Sequence, residues 1–185
     1  MILKKTILYL TCTMVFTTNC KAEPSHMENL KEADLASRNG LIATQMKDWD
    51  KAIEYFKQAQ KFHPRNPEYP NNIGFSYMNQ NKMEEAIIYF TQALEIDPSY
   101  GRAYYNLGVV HQNINKEREA VEYYTKALEI NPASPEIYFN LGLVHSRLGN
   151  KKIAISNFTK FIEIAPKEMK APIEDAKKRI NDLGK

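Results

Sequence analysis

Cysteine is nearly absent from this chain. The 185 residues contain two cysteines, Cys12 and Cys20, and both lie within the first 22 residues. The remaining sequence therefore has no cysteine pair for a disulfide, no thiol nucleophile and no cysteine ligand for a metal. Its four histidines are scattered along the chain. These shortages argue against a disulfide-stabilised domain and against a metal enzyme.

Net charge is also low. The formal charge is +3, and Lys4, Lys5 and Lys21 lie in the first 22 residues, so the rest of the chain is nearly neutral. A dedicated nucleic-acid binder would carry a basic surface, and none is indicated here. The sequence contains neither a nucleophile elbow nor a phosphate-binding loop. We therefore expect no enzyme, no cofactor and no nucleic-acid partner.

The first 22 residues have the pattern of a secretory signal peptide. Lys4 and Lys5 precede an apolar stretch over residues 7–16, which is followed by small and polar residues. The stretch is too short to span a bilayer, which needs about 20 residues. Two cleavage sites fit: before Cys20, which would then carry a lipid as in bacterial lipoproteins, or after Ala22. We expect export to a bacterial outer membrane or periplasm, by lipid anchor at Cys20 or as a soluble protein.

A period of 34 residues runs through the rest of the chain. Four series keep this step: Gly40, Gly74, Gly108 and Gly142; Ala52, Ala86, Ala120 and Ala154; Phe56, Phe90, Tyr124 and Phe158; Pro64, Pro98, Pro132 and Pro166. Apolar and small residues within each period recur at helical spacing, in two groups. Asn81, Asn115 and Gly149 share the position between the groups, and these residue types tolerate the left-handed conformation that ends a helix. Each period therefore predicts a pair of helices.

The repeat resembles the tetratricopeptide repeat family. The third period carries the family's pattern most fully, with Tyr104, Leu107-Gly108, Ala120, Tyr124, Ala127 and Pro132. The resemblance covers residues 33–168 and implies an all-α, right-handed superhelical solenoid of about four helix-turn-helix units. The predicted units are 33–66, 67–100, 101–134 and 135–168, with an extension of the first helix over 23–32 and a capping helix over 169–185.

Both ends of the repeat region carry helix signals. Ser25-His26-Met27-Glu28 has the pattern of a capping box, which predicts that the first helix begins there. At the far end, Pro172 suits the first turn of a helix, and an apolar stripe follows: Ile173, Ala176, Ile180 and Leu183. We expect this stripe to cover the fourth unit, with Phe161 filling the contact.

The resemblance also predicts a binding site. In this family, the first helices of the units line a concave groove. Residues at equivalent positions of successive units form columns across this groove, and in this sequence the columns are expected to place aromatic rings beside side-chain amides, a combination that suits an extended peptide. The candidate groove residues are Asn72, Phe75, Arg102, Tyr105, Asn106, Val109, Phe139, Asn140 and Arg147. His111 and His145 share one position of adjacent units, and we interpret them as packed between helices rather than as a metal site. The function predicted is a scaffold for a protein or peptide partner. The alternative is a structural subunit that self-associates, as a possible homo-oligomer, through the ends of its solenoid.

Overall fold

The computed structural model describes residues 25–185, and this part of the chain folds into nine α-helices and no strands. The helices are α1 (His26–Gln45), α2 (Trp49–Phe62), α3 (Glu68–Asn79), α4 (Met83–Ile96), α5 (Gly101–Asn113), α6 (Glu117–Ile130), α7 (Pro135–Arg147), α8 (Lys151–Ile164) and α9 (Lys170–Leu183). Consecutive helices pack against each other in chain order, as in a solenoid. The predicted all-α solenoid is confirmed.

Helix ends follow the local signals in the sequence. The capping box is formed: the Glu28 amide donates to the Ser25 hydroxyl at 3.2 Å, and the Ser25 amide donates to the Glu28 carboxylate at 2.7 Å. The turn within each pair contains one residue of positive φ, which ends the first helix. These residues are Lys47 (φ 57°), Asn81 (61°), Asn115 (57°) and Gly149 (76°). The sequence indicated the last three, whereas Lys47 is a residue type that rarely adopts this conformation.

Close approach within each pair depends on the glycine series. A Cβ placed on Gly108 would lie 2.5 Å from two ring carbons of Tyr124, and the other three glycines face Phe56, Phe90 and Phe158 in the same way. The rings themselves are fully buried. The aromatic ring of the second helix therefore lies directly against the backbone of the first helix, where only glycine leaves room.

The apolar core bridges neighbouring units. In one cluster, Ala86, Phe90 and Ala93 of α4 pack against buried apolar residues of the next helix, α5. In the following cluster, Ala120, Tyr124 and Ala127 of α6 pack with Ile137, Leu141 and Val144 of α7. Because each second helix is buried under the first helix of the next unit, the core is continuous along the stack.

Helix α9 closes the C-terminal end. Ala176 is fully buried beside Phe158 and Phe161, and Ile173, Ile180 and Leu183 pack against the same cluster. The predicted stripe and the contribution of Phe161 are both confirmed. Phe161 stands where the preceding units have a small alanine, because the contact it fills is with α9 rather than with a further repeat.

The predicted signal segment, including Cys20 and both cleavage sites, lies outside the described residues. Among the helices of residues 25–185, none combines the length and the apolar character needed to cross a bilayer.

Candidate functional site

A cavity of about 450 Å³ lies between the first helices of the last two units and the capping helix. Its apolar lining includes Tyr105 on α5, Phe139 on α7 and Phe161 on α8, and it is closed by Met169 and Pro172 at the start of α9. Polar groups at its edge are Glu136, Asn140 and Asp175. Tyr105, Phe139 and Asn140, which the sequence predicted as groove residues, are thus brought together.

The aromatic wall of this cavity rests on buried rings. The Phe139 ring packs edge-on against Phe161, with centroids 5.1 Å apart, and against Phe158 at 5.7 Å. The Tyr105 ring packs against Tyr124 at 5.9 Å. The three supporting rings are fully buried, so they fix the positions of Tyr105 and Phe139. A ligand would therefore meet a surface that is already in place.

Two polar groups next to the wall define its chemistry. The Asn140 side-chain amide donates to the Tyr105 hydroxyl oxygen at 3.3 Å, which links α7 to α5. Burial raises the pKa of the Tyr105 phenol, and the nearby Glu136 carboxylate raises it further. Tyr105 therefore stays protonated near neutral pH and offers a hydroxyl rather than a charge.

A second cavity, also about 450 Å³, adjoins the first and shares Tyr105 and Glu136 with it. Three charged side chains from consecutive first helices line it: Glu68 on α3, Arg102 on α5 and Glu136 on α7. Within residues 25–185, none of these three belongs to an ion pair. The two cavities form one groove with apolar and charged sections, and we call this pair of cavities the groove.

Asn106 does not lie on the groove surface. It is 6 % exposed, and its side-chain amide donates to the side-chain oxygen of Asn71 at 2.8 Å. Asn71 in turn donates to Asn72 at 3.4 Å. Asn106 was predicted as a contact residue, but its side chain is used in a hydrogen bond that joins two units beneath the surface.

The remaining predicted residues lie outside the two cavities. Phe75 packs edge-on against Trp49 with centroids 6.2 Å apart, and Val109 packs on the cluster between α6 and α7. Asn72 is half-buried beside Asn71, and Arg147 lies 3.7 Å from the Glu117 carboxylate. The structure thus gathers Arg102, Tyr105, Phe139 and Asn140 at the groove, and leaves Asn72, Phe75, Val109 and Arg147 apart from it.

Sequence reasoning missed the residues that the ends of helices bring to the groove. Phe161, Met169, Pro172 and Asp175 line it, and they come from α8 and from the capping helix rather than from the first helix of a unit. Glu68 and Glu136 occupy the same repeat position as Arg102, which the sequence placed on the concave surface, but only Arg102 was predicted as a site residue.

The two histidines of the repeated position are packed side chains. The His111 ring lies 4.9 Å from the Tyr123 ring, and His145 Nδ1 lies 3.3 Å from the Asn150 side-chain amide. Burial lowers the pKa of both imidazoles, which favours the neutral form. The described residues 25–185 contain no group of three or more His, Cys, Asp or Glu side chains arranged to hold a metal ion.

Comparisons with protein families and solved structures agree with this architecture. Models described as tetratricopeptide repeat match residues 40–66, 67–133 and 123–155. The chain is similar to the crystal structure of MamA protein, with 25 % identity over 83 % of this chain and 87 % of that chain and a TM-score of 0.66. It is also similar to the first TPR of Spaghetti (RPAP3) bound to the HSP90 peptide SRMEEVD, with 24 % identity over 65 % and 98 % of the two chains and a TM-score of 0.63.

A further similar structure is the Arabidopsis OM64 TPR domain, with 21 % identity over 64 % of this chain and 98 % of that chain and a TM-score of 0.62. No curated protein sequence gives a significant match. At these identities, the last two similarities bear on the fold alone.

Proposed function

Because this chain is built of tetratricopeptide repeats and so belongs to that family, we propose that it is a scaffold that binds an extended segment of a partner protein. The segment lies in the groove, across α3, α5, α7 and the start of α9. Such segments are bound through a few side-chain pockets and through polar contacts to their backbone. The proposed role is binding rather than catalysis.

One observation carries this proposal: the preformed apolar cavity around Tyr105 and Phe139 opens to solvent beside an unpaired carboxylate, Glu136. Its rings are half-buried and supported from below, so a ligand side chain can displace water from them without rearranging the protein. The Asn140 side chain at the edge of the cavity supplies an amide for the ligand backbone. A bulky apolar residue of the partner segment fits this cavity.

Charge favours a basic residue next to that apolar residue. The groove is lined by Glu68, Glu136 and Asp175 against one base, Arg102, and Asp175 is already paired with Arg179 at 2.8 Å. Glu136 and Phe139 lie about one turn apart on α7, and a turn rises 5.4 Å. An extended peptide advances about 3.3 Å per residue. The basic residue therefore stands within two residues of the apolar one.

The ligand chemistry can be tested with two synthetic decapeptides that differ at one position. The first, the Leu/Lys peptide, carries one leucine and one lysine two residues apart in a serine–glycine background; the second has glutamate in place of the lysine. We expect the Leu/Lys peptide to bind more tightly than the glutamate peptide. The Glu136→Lys variant should instead prefer the glutamate peptide, by about fivefold in affinity, since exposed ion pairs contribute up to about 1 kcal/mol. Fluorescence anisotropy measures both affinities.

The matched control is Glu95→Lys, the same change at an exposed position of α4, which should leave the preference unaltered. The acidic peptide SRMEEVD, bound by the similar Spaghetti domain, should bind this chain no better than the glutamate decapeptide. If Glu136→Lys and the unsubstituted chain prefer the Leu/Lys peptide to the same degree, Glu136 does not contact the basic residue of the ligand.

We also propose that the protein is exported and held at a bacterial outer membrane through a lipid on Cys20, in a cell-envelope assembly. The basic, apolar and small-residue order of residues 1–22 supports this proposal. Cys20→Ala should move the protein from the detergent phase of membrane fractions into the soluble phase. An unchanged partition together with a mature N-terminus at Glu23 would instead indicate ordinary cleavage and a soluble exported protein.

A further inference from the structure

The outward side of α1 exposes three large apolar residues. Leu35, Ile42 and Met46 are 56 %, 53 % and 75 % exposed. Their spacing of seven and four residues places them on one side of the helix. We call these three residues the α1 end face.

The same positions in the other units are buried. The equivalents of Leu35 and Ile42, at steps of 34 residues, are Tyr69 and Ser76, Ala103 and Val110, and Ile137 and Val144, and all six are at most 4 % exposed. The preceding second helix covers them: α4 packs on Ala103 and Val110, and α6 packs on Ile137 and Val144. Among residues 25–185, the α1 end face is therefore the uncovered first copy of an interface that forms three more times along the stack.

We propose that the α1 end face binds an amphipathic helix of a partner protein, which continues the stack. The internal interfaces specify the side chains of that helix, because each is formed by a helix with a small residue, an aromatic residue and a small residue at i, i+4 and i+7. The three sets are Ala52, Phe56 and Ala59; Ala86, Phe90 and Ala93; Ala120, Tyr124 and Ala127. The partner helix carries the same pattern. This site therefore differs from the groove, whose proposed ligand is an extended segment.

A second copy of this chain fits the face less well. Its second helices are already covered, α8 by α9, and the exposed residues of α9 are mostly polar, so the apolar end surface that a copy can offer is its own α1. At about 100° per residue, Lys31 and Arg38 lie on one side of the end face and Glu32 lies on the other, while Glu28 lies in line with the face. An antiparallel two-fold pairing of two α1 helices would bring base to base and acid to acid, and a parallel pairing would lack the small–aromatic–small pattern of the helices that cover the internal copies of this face.

A lactam-bridged peptide tests the proposal. The probe is the α6 sequence, residues 117–130, with the side chains of Glu122 and Lys126 joined, because an isolated helix of this length is marginal in water. This helix is chosen because the face it covers, Ile137, Val144 and Leu148, most resembles Leu35, Ile42 and Met46. We expect saturable binding to the full chain by fluorescence anisotropy, and at least a tenfold loss with Leu35→Glu combined with Ile42→Glu.

Two matched controls accompany this measurement. Ile88→Glu alters an equally exposed apolar residue, 64 % exposed on α4, and should leave the affinity unchanged. A peptide with Ala127→Arg should not bind, since the small position contacts the covered helix. Circular dichroism of the α1 variant should match that of the unsubstituted chain, because both substituted residues are exposed.

Other results would overturn the proposal. Equal affinity of the peptide for the chain and for its α1 variant would place the peptide elsewhere, and absence of binding would remove the site. Binding that occurs only after removal of residues 1–22 would assign the face to the chain's own N-terminal segment. A concentration-dependent doubling of mass that the α1 variant abolishes would assign it to a second copy.

Discussion

Gly108→Leu is expected to lower the free energy of unfolding by about 2–4 kcal/mol, at or above the upper end of the usual cost of overpacking. Even a Cβ at this position would lie 2.5 Å from the Tyr124 ring. The ring has no room to withdraw, because it is fully buried and its hydroxyl donates to the Gln112 side-chain oxygen at 2.8 Å. The change must therefore separate α5 from α6. Urea denaturation followed by circular dichroism measures the effect.

The matched control for this variant is Gly184→Leu. At Gly184 the nearest atom to a new Cβ is the Ile180 carbonyl oxygen at 3.4 Å, an ordinary contact at the end of α9. We expect a change of at most about 0.5 kcal/mol, as for most surface substitutions. Equal urea midpoints for the two variants would mean that the close contact between Gly108 and Tyr124 does not limit packing.

The combined change Tyr105→Ala and Phe139→Ala is expected to weaken binding of the Leu/Lys peptide at least thirtyfold, or about 2 kcal/mol. These two rings form the exposed wall of the apolar cavity, while Tyr124, Phe158 and Phe161 beneath them remain. Truncation removes the surface from which a ligand side chain displaces water, and it leaves the buried rings in place. Anisotropy with the labelled peptide gives the affinity.

Two controls separate this loss of binding from loss of the fold. Glu122→Ala with Lys126→Ala changes exposed residues of α6, on the outer side of the stack, and should bind like the unsubstituted chain. Tyr105→Phe keeps the ring but removes the hydroxyl that accepts from Asn140, so we expect most of the affinity to remain. If the α6 changes abolish binding while the aromatic pair leaves it intact, the partner segment lies on the outer face.

Prediction from the sequence succeeded for features that depend on one helix or on one helical pair. The capping box at Ser25, the left-handed positions at Asn81, Asn115 and Gly149, and the apolar stripe of α9 all follow from local backbone preferences and helical spacing. The candidate site was predicted only in part. Tyr105, Phe139 and Asn140 do line one cavity, but Asn106 lies beneath the surface. Neighbouring residues of one helix point in different directions, and the helix rotation that decides between them comes from packing.

The sequence by itself determined the solenoid, because a glycine of the first helix and an aromatic residue of the second recur in every pair and fit against each other, and a period of 34 repeats this contact along the chain. Tertiary structure decided three further features. It buried Asn106 against Asn71, joined α5 and α7 to the start of α9 around one cavity, and left Leu35 and Ile42 exposed where their equivalents are covered. Each depends on contact between residues of different units or, among residues 25–185, on there being no helix before α1. The residue type at a single position does not encode such contacts, because the same column is buried in the middle of the stack and open at its end.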